Sequence, residues 1–177
     1  MKIFIGSSSR NEINKEYLDL AEKVGKELEK YNYDLVFGAA STGMMGKTTK
    51  YFNNIYSYTV EKYTEDLKNI NSKKEYILKT TFDRTKKMYN DADLLVLLPG
   101  GTGTIAELFG ILEENRSVTN PKKYIIFNYN HYYDKALELI DNCIKNNFNS
   151  KDIKDYYEVV NNIKELITLI ENKKSTN

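Results

Sequence analysis

Asp93-Leu94-Leu95-Val96-Leu97-Leu98-Pro99-Gly100-Gly101-Thr102-Gly103-Thr104-Ile105-Ala106-Glu107 is the stretch on which the fold turns. Its first six residues form a short apolar run bounded by turn residues, the pattern of a strand buried on both faces of a parallel sheet. Glycines and threonines follow, and residues 105–115 read as a helix. Strand, glycine-rich turn and helix start together make an anion cradle. Bare backbone lets N–H groups approach a phosphate, and the helix N-terminus adds partial positive charge. On this reading Glu107 sits in the first helical turn. It either complements the helix dipole or performs chemistry on a phosphorylated ligand. The spacing is neither the dinucleotide fingerprint nor the P-loop, because no Gly-Lys-Ser/Thr follows.

On either side, strands and helices alternate. Strands are expected at 2–5, 34–37, 56–60, 76–78, 123–127 and 157–160. Helices are expected at 12–30, 47–53, 81–90, 132–147 and 163–170. The charged stretch 61–74 reads as loop with some helix, and 173–177 as a frayed tail. Alternation of this kind gives an α/β fold: one Rossmann-like domain over 1–177, a doubly wound parallel sheet with helices on both faces. Ligands of such sheets bind at the carboxyl ends of the strands. The turns 6–10, 38–46 and 99–103 all follow strands, so they gather on one edge.

The chain has 177 residues, with 26 Lys plus Arg against 25 Asp plus Glu. A formal charge of +1 gives no pull toward nucleic acid or membrane. The lone Cys143 rules out an intrachain disulfide and a cysteine-rich zinc site; it is expected on the inner face of a helix. No apolar stretch approaches a membrane span, and Met1 leads directly into a strand, so a cytoplasmic protein is expected. The lone His131 rules out a histidine-rich metal site, and its place where a loop enters a helix suggests a surface or capping role. Acid–base work then falls to carboxylate, lysine, tyrosine or water. Fifteen tyrosines without a tryptophan reflect compositional bias rather than base-stacking platforms.

Arg84, on the helix 81–90, is a candidate partner for Glu107. Its guanidinium stays charged and forks onto phosphate or carboxylate oxygens. From the residues alone the simpler reading is an ordinary surface arginine; Arg10 and Arg116 are the others.

The string PGGxGTxxE resembles the signature of the LONELY GUY (LOG) family, cytokinin-activating phosphoribohydrolases long labelled lysine decarboxylases. Ile3-Phe4-Ile5-Gly6-Ser7-Ser8-Ser9 is similar to the family's first strand and serine turn. The stretch from Phe37 to Gly46, with Gly43-Met44-Met45-Gly46, is similar to its GGGxxGLMG motif. Arg84-Thr85-Lys86-Lys87-Met88 resembles its RKxxM segment, and Asn128 to Asp134 its approach to the penultimate helix. The resemblance implies hydrolysis of the N-glycosidic bond of a nucleoside 5′-monophosphate, a cytokinin nucleotide or a simple one, to free base and ribose 5-phosphate. It implies Arg84 and Glu107 as the catalytic pair. By motif, Gly6, Ser7, Ser8, Gly43, Met44, Met88, Gly100, Gly101, Thr102, Gly103 and Thr104 bind substrate or phosphate, the last through backbone N–H groups with the Thr102 or Thr104 hydroxyl. No metal or redox cofactor is implied. A homodimer is, with helices flanking the pocket; the apolar face of Leu108, Ile111 and Leu112 is either that interface or ordinary core.

Three departures stand out. Ala39 and Ala40 replace glycines, Thr85 replaces the lysine after the motif arginine, and Asp83 precedes that arginine. Two other readings remain open: a nucleotide-binding sensor of the same superfamily, and a deoxyribosyltransferase-like enzyme. A pyridoxal phosphate decarboxylase is disfavoured, because no lysine has a recognisable cofactor context.

Overall fold

The structure, a computed structural model, describes residues 1–174. Seven parallel strands form one sheet in the order β4-β3-β2-β1-β5-β6-β7. They are β1 (Lys2–Gly6), β2 (Asp34–Phe37), β3 (Ile55–Val60), β4 (Lys74–Leu78), β5 (Leu94–Leu97), β6 (Tyr124–Phe127) and β7 (Tyr157–Val160). The helices are α1 (Lys15–Glu29), α2 (Gly43–Thr49), α3 (Thr81–Asp91), α4 (Thr102–Ser117), α5 (Asp134–Lys145) and α6 (Ile163–Lys174). No helix among the described residues is long and apolar enough to cross a membrane.

Side chains alternate across each strand and feed two cores. On one face Ile3, Ile5, Leu35, Phe37 and Val96 pack under α1, α2 and α6. On the other, Phe4, Val36, Leu95, Leu97 and Ile126 pack under α3, α4 and α5. Because β1, β2, β5 and β6 are covered on both sides, their sequences run nearly unbroken in apolar residues. In α1, Leu20, Ala21, Val24, Gly25 and Leu28 form the inward stripe. Gly25 allows α2 to come close: a Cβ there would stand 2.6 Å from the Tyr51 ring and 3.1 Å from the Thr48 carbonyl oxygen. Lys122 anchors the far end of α3, its Nζ donating to the carbonyls of Tyr89 (2.8 Å), Asn90 (2.9 Å) and Ala92 (2.8 Å).

Leu108, Ile111 and Leu112 are buried in the second core and present no interface. Several element boundaries differ from expectation: α1 starts at Lys15 rather than 12, α5 spans Asp134–Lys145 rather than 132–147, and α6 runs on to Lys174. Three more bear on the site. The helix after the decisive turn begins at Thr102, not 105, so Glu107 lies in its second turn and no acidic residue occupies the first. The helix expected from residue 47 begins at Gly43, inside the glycine motif. The stretch 61–74 is a 3-10 segment, Glu61–Asn69, followed by β4, which starts at Lys74 rather than 76. At the other end, the expected tail is helical through Lys174, so Lys173 and Lys174 belong to α6, and Lys173 Nζ pairs with Glu158 at 2.7 Å; residues 175–177 lie outside the described residues.

The chain turns from β1 toward β2 on one side, and from β5 toward β6 on the other. The crevice therefore opens at the carboxyl ends of β1 and β5. The Leu98 N–H donates to the Gly6 carbonyl at 2.9 Å and fixes the two ends side by side.

Candidate active site

The turn after β5 is held rigidly from behind. The Tyr133 hydroxyl, buried in the second core, donates to the Leu98 carbonyl at 2.6 Å. The Tyr132 hydroxyl donates to the Gly100 carbonyl. Thr104 Oγ1 donates to the Ser7 carbonyl at 3.1 Å, tying α4 to the serine turn after β1. The Thr104 hydroxyl is thus engaged, whereas Thr102 is exposed at the start of α4. Gly100 is required by packing, since a Cβ there would lie 2.2 Å from Thr104 Oγ1.

Gly101 and Gly103 differ. A Cβ on either meets nothing within 4 Å, and Gly101 has φ −76°, open to any residue. Neither sterics nor backbone conformation calls for glycine there. What their bareness provides is close access to the end of α4. The first bond of that helix runs from the Ile105 N–H to the Gly101 carbonyl (3.0 Å), and the N-cap offers no side chain. The N–H groups of Thr102, Gly103 and Thr104 therefore form a free helix end at the mouth of the cleft.

Glu107 is 2% exposed at the floor. Its Oε1 accepts from Arg84 Nη2 at 3.4 Å, a long contact, and the Arg84 side chain is 14% exposed. Three buried polar atoms here lack a partner: Glu107 Oε2, Arg84 Nε and Ser7 Oγ. Such atoms are costly in a finished core, and the three residues that carry them all line one cleft. Burial pushes the Glu107 carboxyl up to about 7, and the Arg84 charge pulls only partly the other way. A paired glutamate ordinarily sits low. Here desolvation wins because the carboxylate is almost fully dry and its one ion pair is long.

Local sequence explains how these groups meet. Thr80 caps α3, its Oγ1 accepting from the Asp83 N–H at 3.1 Å and donating to Asp83 Oδ2 at 2.7 Å. Asp83 therefore belongs to the cap. One residue on, the Arg84 guanidinium reaches the backbone after β2; a Cβ on Gly38 would stand 3.5 Å from Nη1. Gly43 has φ +61° and presses on the serine turn, where a Cβ would come within 2.5 Å of the Ser9 carbonyl carbon. Its N–H donates to Asn11 Oδ1 at 2.8 Å.

The cleft encloses about 370 Å³, within the range of small-molecule sites. Of the residues singled out by sequence, Ser7, Ser8, Gly101, Thr102, Gly103, Thr104, Arg84 and Glu107 line it. Gly6, Gly43 and Gly100 lie behind the wall, where they allow close packing. Met44 and Met88 are fully buried, in the first and second cores respectively, and do not reach the cleft. Met45 does, because successive helical residues point about 100° apart. Ser9, Arg10, Gly38 and Ala40, from the same turns, also line it. Tyr63 and Asp66, from the charged 3-10 segment, line it too and carried no sequence signal. Ala39 is buried with φ +56°, a left-handed conformation that suits the glycine it replaces. Thr85 faces a second groove, between α3 and α4, with Phe82 and Gly110. His131 is exposed, 3.2 Å from Asp134 Oδ2, and Cys143 is half-buried on α5.

The fold is shared with solved structures. One is the molybdenum cofactor carrier protein of Chlamydomonas reinhardtii, with TM-score 0.71, 14% identity, and 99% of this chain and 98% of that one covered. Another is a molybdenum cofactor binding protein from Rippkaea orientalis, with TM-score 0.70, 15% identity, and 97% and 94% covered. Sequence relatives are closer. A cytokinin riboside 5′-monophosphate phosphoribohydrolase of Arabidopsis thaliana is 28% identical over 174 residues, covering 96% of this chain and 81% of its own. A probable enzyme of the same name from Oryza sativa subsp. japonica is 29% identical over 174 residues, covering 96% and 69%. The family model described as "Possible lysine decarboxylase" matches residues 36–170, and the chain belongs to that family, the LONELY GUY proteins.

Proposed function

We propose that this protein hydrolyses the N-glycosidic bond of a nucleoside 5′-monophosphate, releasing free base and ribose 5-phosphate. The observation that carries the reading is the Glu107 carboxyl. It is dry, poised near neutrality, has one oxygen without a partner, and shares its cleft with a free helix end. The names of the sequence relatives give the same substrate class.

In this reading the phosphate sits on the N–H groups of Thr102, Gly103 and Thr104, with the Thr102 hydroxyl beside it. That anchor fixes the ribose and turns remote binding energy into orientation at C1′. As the C1′–N bond breaks, its electron pair leaves with the base and positive charge grows on the ribose, as in glycoside hydrolysis. Ionised Glu107 stabilises that charge and takes a proton from the attacking water. The water oxygen bonds to C1′, and the proton that Glu107 takes from the water passes, through solvent, to the departing base, so atoms and charge balance and the carboxylate is regenerated. Arg84 holds Glu107 and offers its Nε to substrate. Cytokinin nucleotides are one member of the substrate class. The groove between α3 and α4, where Phe82 stands 84% exposed, is the face we assign to a homodimer, which light scattering checks.

The test is product analysis on a panel of ribo- and deoxyribonucleoside monophosphates, with Glu107→Ala as control. Free base and ribose 5-phosphate from the wild type alone support the reading. Binding without cleavage across the panel overturns it in favour of a nucleotide sensor.

A further inference from the structure

Four neighbouring strand ends, of β5, β1, β2 and β3, lay out the site as a ruler. The turn after β5 offers the free helix end. Beside it, Gly6 at the end of β1 lies directly against Glu107. Next, Gly38 after β2 lies against the Arg84 guanidinium. Last, β3 runs into the 3-10 segment that brings Tyr63 and Asp66 into the same cleft. Neighbouring strands are about 4.8 Å apart, so three steps from β5 to β3 span roughly 14 Å. That leaves room for a nucleoside monophosphate with a hydrogen-bond contact of about 3 Å at its phosphate end and another at its base end. The order of groups matches as well: anion site, carboxylate, guanidinium, then an aromatic ring beside an acceptor.

From this order we infer that Tyr63 and Asp66 hold the nucleobase, the ring stacking on its face and the carboxylate accepting from an exocyclic amino group. The inference rests on the nucleotide reading above and adds which bases the site takes. Tyr63 is 46% exposed, and its ring touches one cation, Lys62 Nζ, 5.7 Å from the centroid. Its φ of −118° and ψ of 21° break the 3-10 run around it. Asp66 is half-buried and makes no hydrogen bond or ion pair with the described residues. Both carboxylate oxygens are therefore open to a ligand. A carboxylate only accepts, so it favours a base with an amino group and repels an oxo group in the same place. An ordinary exposed tyrosine on a charged segment would look similar in isolation. The shared cleft and the order of the strand ends set this one apart.

The experiment is calorimetric binding to the full chain carrying Glu107→Gln, so that substrate is not consumed. The probes are AMP, IMP, CMP, UMP and ribose 5-phosphate. Tyr63→Ala is expected to weaken the nucleotides about 10- to 100-fold, from lost stacking. Ribose 5-phosphate, which has no base, should bind unchanged, and Tyr63→Phe should restore the nucleotides. Asp66→Asn should narrow the preference for AMP over IMP, and for CMP over UMP, by about 10-fold, the worth of one charged hydrogen bond. Equal weakening of ribose 5-phosphate, or no effect of Tyr63→Ala on any probe, overturns the assignment. Wild type that shows this binding pattern but releases no base overturns the hydrolase and keeps the base site. Wild type and variant that bind no nucleotide overturn both.

Discussion

Glu107 Oε2 lies 2.9 Å from the point where a Cβ on Gly6 would stand, and Leu97 Cδ2 lies 2.6 Å from it. Glycine at the end of β1 is thus what lets a carboxylate occupy the floor of the crevice. Gly6→Ala should push Glu107 off its present position and crowd Leu97. Overpacking of this kind costs about 1–3 kcal/mol. The loss of activity should be larger, about 100-fold in kcat, because orientation of the reacting group is disturbed. Thermal melting and steady-state kinetics on one preparation check both.

The Glu107 carboxyl also gives a pH signature. Its pKa is about 7 in the folded protein, raised mainly by burial. Between the unfolded value near 4.3 and about 7, the folded state binds the extra proton. Stability from this group is therefore complete below the unfolded value and lost as pH rises through 7. The loss approaches about 4 kcal/mol. Glu107→Gln, which never ionises, should match the wild type near pH 4 and gain on it steadily toward pH 8. Wild-type kcat/KM should rise through about pH 7 as the carboxylate forms, and the variant should lack that limb. Melting curves across this range, beside a pH–rate profile, make the check.

Gly100 and Gly103 stand three residues apart yet should respond oppositely to alanine. At Gly100 the new methyl would meet Thr104 Oγ1 at 2.2 Å, breaking the tie to Ser7, for about 1–3 kcal/mol of lost stability. At Gly103 the methyl enters open space in the first turn of α4. Stability there should hold or rise by about 0.5 kcal/mol. Phosphate affinity should nevertheless fall about 10-fold, because the methyl occupies the ligand's approach. Inorganic phosphate or ribose 5-phosphate titrations, paired with melting, separate the two.

Why some of this was legible and some was not has physical causes. The β5 run and its glycines could be read because a strand buried on both faces must be apolar and a tight turn must be bare. The start of α4 is masked in the sequence because Gly103 resembles turn sequence, although it lies inside the helix and leaves Glu107 a turn deeper. The strand β4 is a sheet edge, exposed along much of its length, so Lys74 and Glu75 gave no apolar pattern. Met44 and Met45 are indistinguishable in a motif, and only helical phase turns one inward and the other to the cleft. Tyr63 and Asp66 reach the site through the placement of β3 in the sheet, which no local pattern encodes.

Ala39 shows how a departure from the family motif can be accommodated. Its φ of +56° is the conformation for which glycine is suited, and its side chain is buried. A left-handed non-glycine residue costs roughly 1–2 kcal/mol. Ala39→Gly removes that strain but also loses a buried methyl worth about 0.8 kcal/mol, and it loosens the unfolded chain by about 0.4–1 kcal/mol. These terms nearly cancel, so the variant should melt close to the wild type, within about 1 kcal/mol. Ala39→Val adds β-branching to a left-handed residue in a filled site, and should cost more than about 2 kcal/mol. If valine were tolerated as well as glycine, strain at this position would not be what the motif glycine relieves. Urea melts of the two variants beside the wild type decide it.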